Sequence, residues 1–162
     1  MSVWARSSMV EQWPFKPLVK SSILFALIFH LYYRISMIIR LDHFVITTTH
    51  LEKCLEFYTM LGFTASANKG RHELRCGTFK INVHISGKEL VPHAENIVPG
   101  STDFCLEVDD QLEDLLKTAQ EKGFVVELEK TIKNGFYGKM KSVYLRDPDG
   151  NLVELCTYDE KE

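Results

Sequence analysis

The sequence predicts an α+β fold of two βαβββ modules forming an open mixed-sheet cup. Three observations predict it. The order strand, helix, three strands occurs twice between residues 40 and 158. Each helix is stopped by a glycine that a phenylalanine follows, Gly62-Phe63 and Gly123-Phe124. Within the strands, apolar and polar residues alternate, so each strand keeps one face for a core.

Residues 40–48 (RLDHFVITT) are rich in β-branched and aromatic types and read as a strand. In 51–61, Leu51, Cys54, Leu55, Phe57, Tyr58 and Leu61 recur at helical spacing, and Gly62 ends the helix. Short strands are expected over 63–68, 71–76 and 79–86, with Gly70 and Gly77 at the turns. A polar, proline-bearing connection spans 87–100. The order then restarts with a strand at 102–108 and a helix at 111–122 that aligns Leu112, Leu115, Leu116 and Ala119. Strands at 124–131, 139–146 and 151–158 complete it, the last two joined by the turn Asp147-Pro148-Asp149-Gly150. Residues 132–138 read as an extra loop. The spacing supports a duplication: 19 residues separate His43 from Gly62, and 20 separate Asp103 from Gly123. Aligned from their ends, the modules match His84 with Glu154.

Length and composition set bounds. The 162 residues suffice for one domain with a sizeable core. A net charge of −3 gives no reason to expect nucleic acid as a partner. Cys54, Cys76, Cys105 and Cys156 form no C-x-x-C pair, which fits reduced thiols and a cytoplasmic location.

Residues 1–36 differ from the rest. They hold both tryptophans and an eleven-residue apolar run, 23–33. A membrane-spanning helix needs ~20 apolar residues, so this run is too short, and no membrane is expected for the remaining domain, 37–162. Three readings stay open: an extension ahead of a working initiator at Met37, a targeting or membrane-associating segment, and a packed helix. Without this segment the charge becomes −6.

Alternation singles out four residues. Phe44 and Ile46 take the helix side of the first strand, leaving His43 on the other face. Phe104 and Leu106 do the same beside Asp103. In the closing strands, Ile81 and Val83 leave Asn82 and His84, while Val153 and Leu155 leave Glu154. Each module (about 40–86 and 101–158) thus carries one metal-competent residue early and one late. A pseudo-twofold would put His43, His84, Asp103 and Glu154 on one concave face. Two imidazoles and two carboxylates suit one divalent transition ion such as Zn, Ni, Mn, Co or Fe. Two octahedral positions would remain for adjacent oxygens of a small-molecule substrate.

Leu41-Asp42-His43 at the first strand and Asp147-Pro148-Asp149-Gly150-Asn151-Leu152-Val153-Glu154 at the last resemble the glyoxalase / bleomycin-resistance / extradiol-dioxygenase superfamily, whose fold is called vicinal oxygen chelate. The stretches 80–84, 98–103 and 142–146 are similar to the glyoxalase domain-containing protein 5 branch. The resemblance implies metal ligands at the four positions above and a homodimer. It implies a glyoxalase I-like lyase or isomerase acting on a small vicinal-oxygen carbonyl compound, a glutathione adduct among the candidates, with Glu154 shuttling the proton. Its alternatives are an Fe(II) extradiol-type dioxygenase and a non-enzymatic drug-binding protein. His84 stands where glyoxalase I has a carboxylate or amide, which departs from that enzyme.

Ordinary readings stand beside these. A lone strand histidine is usually structural, and Asp147 and Asp149 read as turn formers. His30, His50, His72 and His93 read as surface residues, and Cys105 and Cys156 as small packing groups. Arg71, Arg75 and Lys80 read as a solvated face or as contacts for an anionic substrate. The loop 134–138 reads as a lid or a plain exposed hairpin.

Overall fold

Ten elements form in residues 38–109 and 112–159, the part of the chain that the computed structural model describes. In chain order they are β1 (His43–Thr48), α1 (Leu51–Met60), β2 (Thr64–Asn68), β3 (Arg71–Cys76), β4 (Phe79–Ile85), β5 (Asp103–Glu107), α2 (Leu112–Glu121), β6 (Val125–Gly135), β7 (Gly138–Arg146) and β8 (Leu152–Thr157). Both helices end alike. Gly62 N–H donates to the Thr59 carbonyl and Phe63 N–H to that of Tyr58, each at 3.0 Å. Gly123 and Phe124 repeat this toward Gln120 and Ala119, at 3.0 and 2.9 Å. These bonds satisfy carbonyls that a helix end otherwise leaves open.

Two four-stranded sheets result, in the orders β1-β4-β3-β2 and β5-β8-β7-β6. In each, the first strand runs parallel to the last, because the helix carries the chain across, and the other pairs are antiparallel. This is βαβββ twice, with mixed sheets and no closed barrel. β1 and β5 are edge strands.

The expected loop at 132–138 is a correction. β6 continues through it to Gly135, and Phe136 and Tyr137 form the turn of a long β6–β7 hairpin. The alternation in Thr131-Ile132-Lys133 extends the ladder, and register shifts near Val126 and Leu128 absorb the mismatch. Phe136 at the tip is 90% exposed.

One core serves both modules. Phe57, Tyr58, Leu74, Ile81, Val143, Leu145, Val153 and Leu155 are fully buried in it. The modules meet through their helix-bearing faces: the Phe44 and Phe104 rings lie 4.8 Å apart, and those of Phe57 and Phe124 5.0 Å. Each such burial stabilises by about 1.5–3 kcal/mol.

The turn 147–150 joins the modules further. Buried Asp147 accepts the Tyr58 hydroxyl at 2.9 Å and the Asn151 side-chain amide at 2.7 Å. Asp149 accepts the Thr49 N–H at 2.7 Å and both threonine hydroxyls, of Thr48 and Thr49. The two aspartates are turn formers, as expected, and they also tie β8's approach to α1, Asp149 ahead of its start and Asp147 in its last turn.

All four cysteines are free thiols. Among the described residues no helix is long and apolar enough to cross a membrane. The chain divides into the units Met1–Arg40 and Leu41–Glu162. The readings made for residues 1–36 lie outside the described residues.

Candidate functional site

The faces turned away from the helices carry the residues that the alternation selected. His43 sits at the start of β1, half exposed, and its Nδ1 lies 2.8 Å from Asp42 Oδ1. A carboxylate only accepts, so Nδ1–H donates, and the lone pair of Nε2 is left to face a metal ion. Metal-bound histidines commonly have their second nitrogen held in this way.

The strand registers refine the duplication. In the second module Asp103 pairs with Leu152, so Glu154 stands two residues further along β8. In the first module His43 pairs with Lys80, so the residue two steps along β4 is Asn82, and His84 is four steps along. Two steps are roughly 7 Å and four are roughly 13 Å. The position matching Glu154 is therefore Asn82, not His84. Matching 80–84 to 150–154 set the two strands two residues out of register; β4 and β8 each run three residues past the matched step.

Tyr144 is a second residue the sequence reading passed over. Its hydroxyl donates to Glu154 Oε1 at 2.8 Å. The two face each other directly across β7 and β8. That pairing was open to reading, because a hairpin folding at 147–151 sets Tyr144 opposite Glu154. Burial pushes the Tyr144 phenol up to about 12, and the hydrogen bond to Glu154 and its charge add to this. The phenol is thus a hydrogen-bond donor at neutral pH. Cys105, beside Glu154 on β5, is likewise pushed upward, by desolvation first and then by Cys156 and Glu154. It remains a thiol and is no ready nucleophile.

The donor types fit a divalent transition ion: an oriented imidazole, an amide or second imidazole, and two carboxylates. One chain does not assemble them, however. Among the described residues no three of His, Cys, Asp and Glu come close enough to hold an ion. The sequence reading placed all four on one concave face. The structure instead keeps them in two separate groups, His43 with Asn82 and His84 on one sheet, and Asp103 with Glu154 on the other. The physical reason is that the modules join through their helix-bearing faces, through Phe44 and Phe104.

The first of these groups opens into a cleft of about 200 Å³, whose lining includes His43, Arg71, Lys80, Asn82, His84 and Val91.

Comparison with known proteins agrees with this architecture. The family described as the Glyoxalase/Bleomycin resistance protein/Dioxygenase superfamily matches residues 40–155. The glyoxalase domain-containing protein RDO1 of Mycosarcoma maydis is 41% identical over 121 residues, 74% of this chain and 69% of that protein. Virulence protein STM3117 of Salmonella typhimurium is 36% identical over 127 residues, 76% of this chain and 88% of that one. Its crystal structure superposes with a TM-score of 0.71 at 35% identity, covering 75% and 98% of the two chains. Integron cassette protein VCH_CASS1, from the mobile metagenome of V. cholerae, superposes with a TM-score of 0.70 at 39% identity, covering 75% and 97%.

Proposed function

The chain belongs to the glyoxalase/bleomycin resistance protein/dioxygenase superfamily, and from that premise we propose a metal-dependent lyase or isomerase of the glyoxalase kind. Its substrate is a small carbonyl compound with adjacent oxygens, and a glutathione hemithioacetal is the first to assay. Within the superfamily we place the chain nearest the glyoxalase domain-containing protein 5 branch.

The observation that carries the reading is the placement of His43 and Asp103 on two edge strands, each with a donor two steps along the neighbouring strand. The proposed donors are His43, Asp103 and Glu154, with His84 or Asn82 as the fourth. Since one chain keeps these donors in two separate groups, we propose that each group is a half-site of a homodimer in which His43 of one copy and Glu154 of another serve the same ion. When bound, the ion supplies Lewis-acid polarisation of adjacent oxygens. Glu154 is the proton-transfer group: it removes a proton from one carbon and returns it to the next. The Tyr144 hydroxyl donates to Oε1 of that carboxylate and so orients it. Four free thiols suit a cytoplasmic setting.

Elemental analysis of the purified full chain tests this. About one transition ion per chain is expected, lost in H43A and E154A; comparing H84A with N82A identifies the fourth donor. Nickel, zinc or manganese supports the lyase, whereas iron with oxygen uptake favours the dioxygenase. A wild type that takes up none of these ions would overturn the enzyme and leave a small-molecule binding protein.

A further inference from the structure

The cleft on the first module carries more positive charge than its fold requires. Arg71, Glu73 and Arg75 alternate with buried Leu74 on β3, so they share the open face. Glu73 pairs with Asn82 and Arg75 with Lys80 across β3 and β4, which brings Lys80 onto the same face. Three cations thus surround one carboxylate. Glu73 is fully engaged: Lys80 Nζ lies 2.6 Å from Oε1, and Arg75 donates to Oε2 at 2.7 Å. These bonds, that to Lys80 first, hold the Glu73 carboxyl below its ordinary range. It stays charged at neutral pH and is spent on two of the three cations. No described carboxylate pairs with Arg71, which lines the cleft beside Lys80 and His43.

The rest of the molecule makes this local excess more specific. Residues 37–162 carry a net charge of −6, so a solvated face of random composition would be acidic. The open face of the second module presents Asp103, Glu107 and Glu154, and its Arg146 is held by Glu127 at 3.2 Å. The uncommitted guanidinium therefore stands in the one face short of acid. Leu90, Val91 and Pro92 add an apolar wall to the same cleft, and Val91 is 84% exposed. A guanidinium next to an apolar wall suits an organic oxyanion: the guanidinium pairs with two oxygens at once, and the wall covers the carbon skeleton.

We propose that Arg71 binds an oxyanionic group of the substrate, a carboxylate or phosphate, in the cleft next to His43. This rests on reading that face as the substrate-binding half of the site. It makes Arg71 a specificity residue and the substrate an organic anion. Glu73 sets the strength of the pocket, because it withholds two cations from the ligand.

Titrations of the full chain after chelator treatment test the proposal without the metal. Phenyl phosphate, benzoate and neutral benzyl alcohol are the probes, followed by amide NMR shifts. The two anions are expected to shift residues of β3, Leu90 and Val91, more weakly as salt rises, while benzyl alcohol does not. R71Q is expected to weaken anion binding about tenfold or more, R71K less, and E73Q to strengthen it by freeing Lys80 and Arg75. Phenyl phosphate against benzoate tells which oxyanion the pocket prefers. R71Q binding anions like the wild type, or benzyl alcohol shifting the same amides as strongly, would overturn the proposal. R71Q should retain the metal content of the wild type. A metal-free wild type that still binds anions through Arg71 would sink only the enzyme reading. A metal-loaded wild type indifferent to Arg71 would sink only this one.

Discussion

Asp149 shows how one side chain can hold two modules together. Burial pushes its carboxyl up, but hydrogen bonds from Thr48 and Thr49 outweigh this and hold it below the ordinary 3.8. A carboxyl lowered by folding stabilises above its unfolded value, and that contribution disappears as pH falls through the lowered one. The wild type should therefore lose this part of its stability below about pH 4. D149N should be less stable than wild type at pH 7, and the gap should close as pH falls below the lowered value of the carboxyl. Urea midpoints measured from pH 7 to pH 2.5 check it; a gap that persists at the acid end would rule the charge out. Tyr144 belongs to this scale as well, since its bond to Glu154 forms only because a hairpin sets the two opposite each other.

At the scale of elements, the turn 147–150 also explains a glycine. Gly100 has φ +79, and a Cβ there would come 2.3 Å from the Asp149 carbonyl oxygen. Ala at this position has to adopt a left-handed backbone and push the turn away. G100A should cost about 2 kcal/mol or more and lower the denaturation midpoint without changing its slope. The order βαβββ, both helix stops and the polar faces of the strands were legible in the sequence, because each depends on local periodicity. Of the long β6–β7 hairpin only the tip was, since 134–138 also read as a plain exposed hairpin; the continuation of the ladder through 132–135 was not. Its tip, Asn134-Gly135-Phe136-Tyr137-Gly138, carries the composition of a loop, while pairing with β7 keeps it in the ladder. The step from His43 to Asn82 was hidden for a related reason: register belongs to two strands, and neither sequence alone records it.

For the whole molecule, the arrangement of half-sites makes the strongest claim. If one ion needs His43 from one copy and Glu154 from another, H43A and E154A chains together should recover what neither has alone. In a random mixture of twofold dimers, half are mixed, and each mixed dimer has one intact site of two. Co-expressed full-length chains should then hold metal at about a quarter of wild-type occupancy. No recovery in demonstrably mixed dimers would put both donors within one chain. The bonds from Asp147 and Asp149 back to Tyr58, Thr48 and Thr49 carry a last consequence. They span 89 to 101 residues of sequence. During synthesis, the first module leaves the ribosome long before its clamp exists. Until residue 147 emerges, the Tyr58 hydroxyl lacks its buried acceptor, and until residue 149 does, the opening of α1 is held by its own contacts alone. The early half of the chain waits, incompletely fastened, for the late half, so high contact order makes translation speed and chaperone access the setting in which this fold is completed.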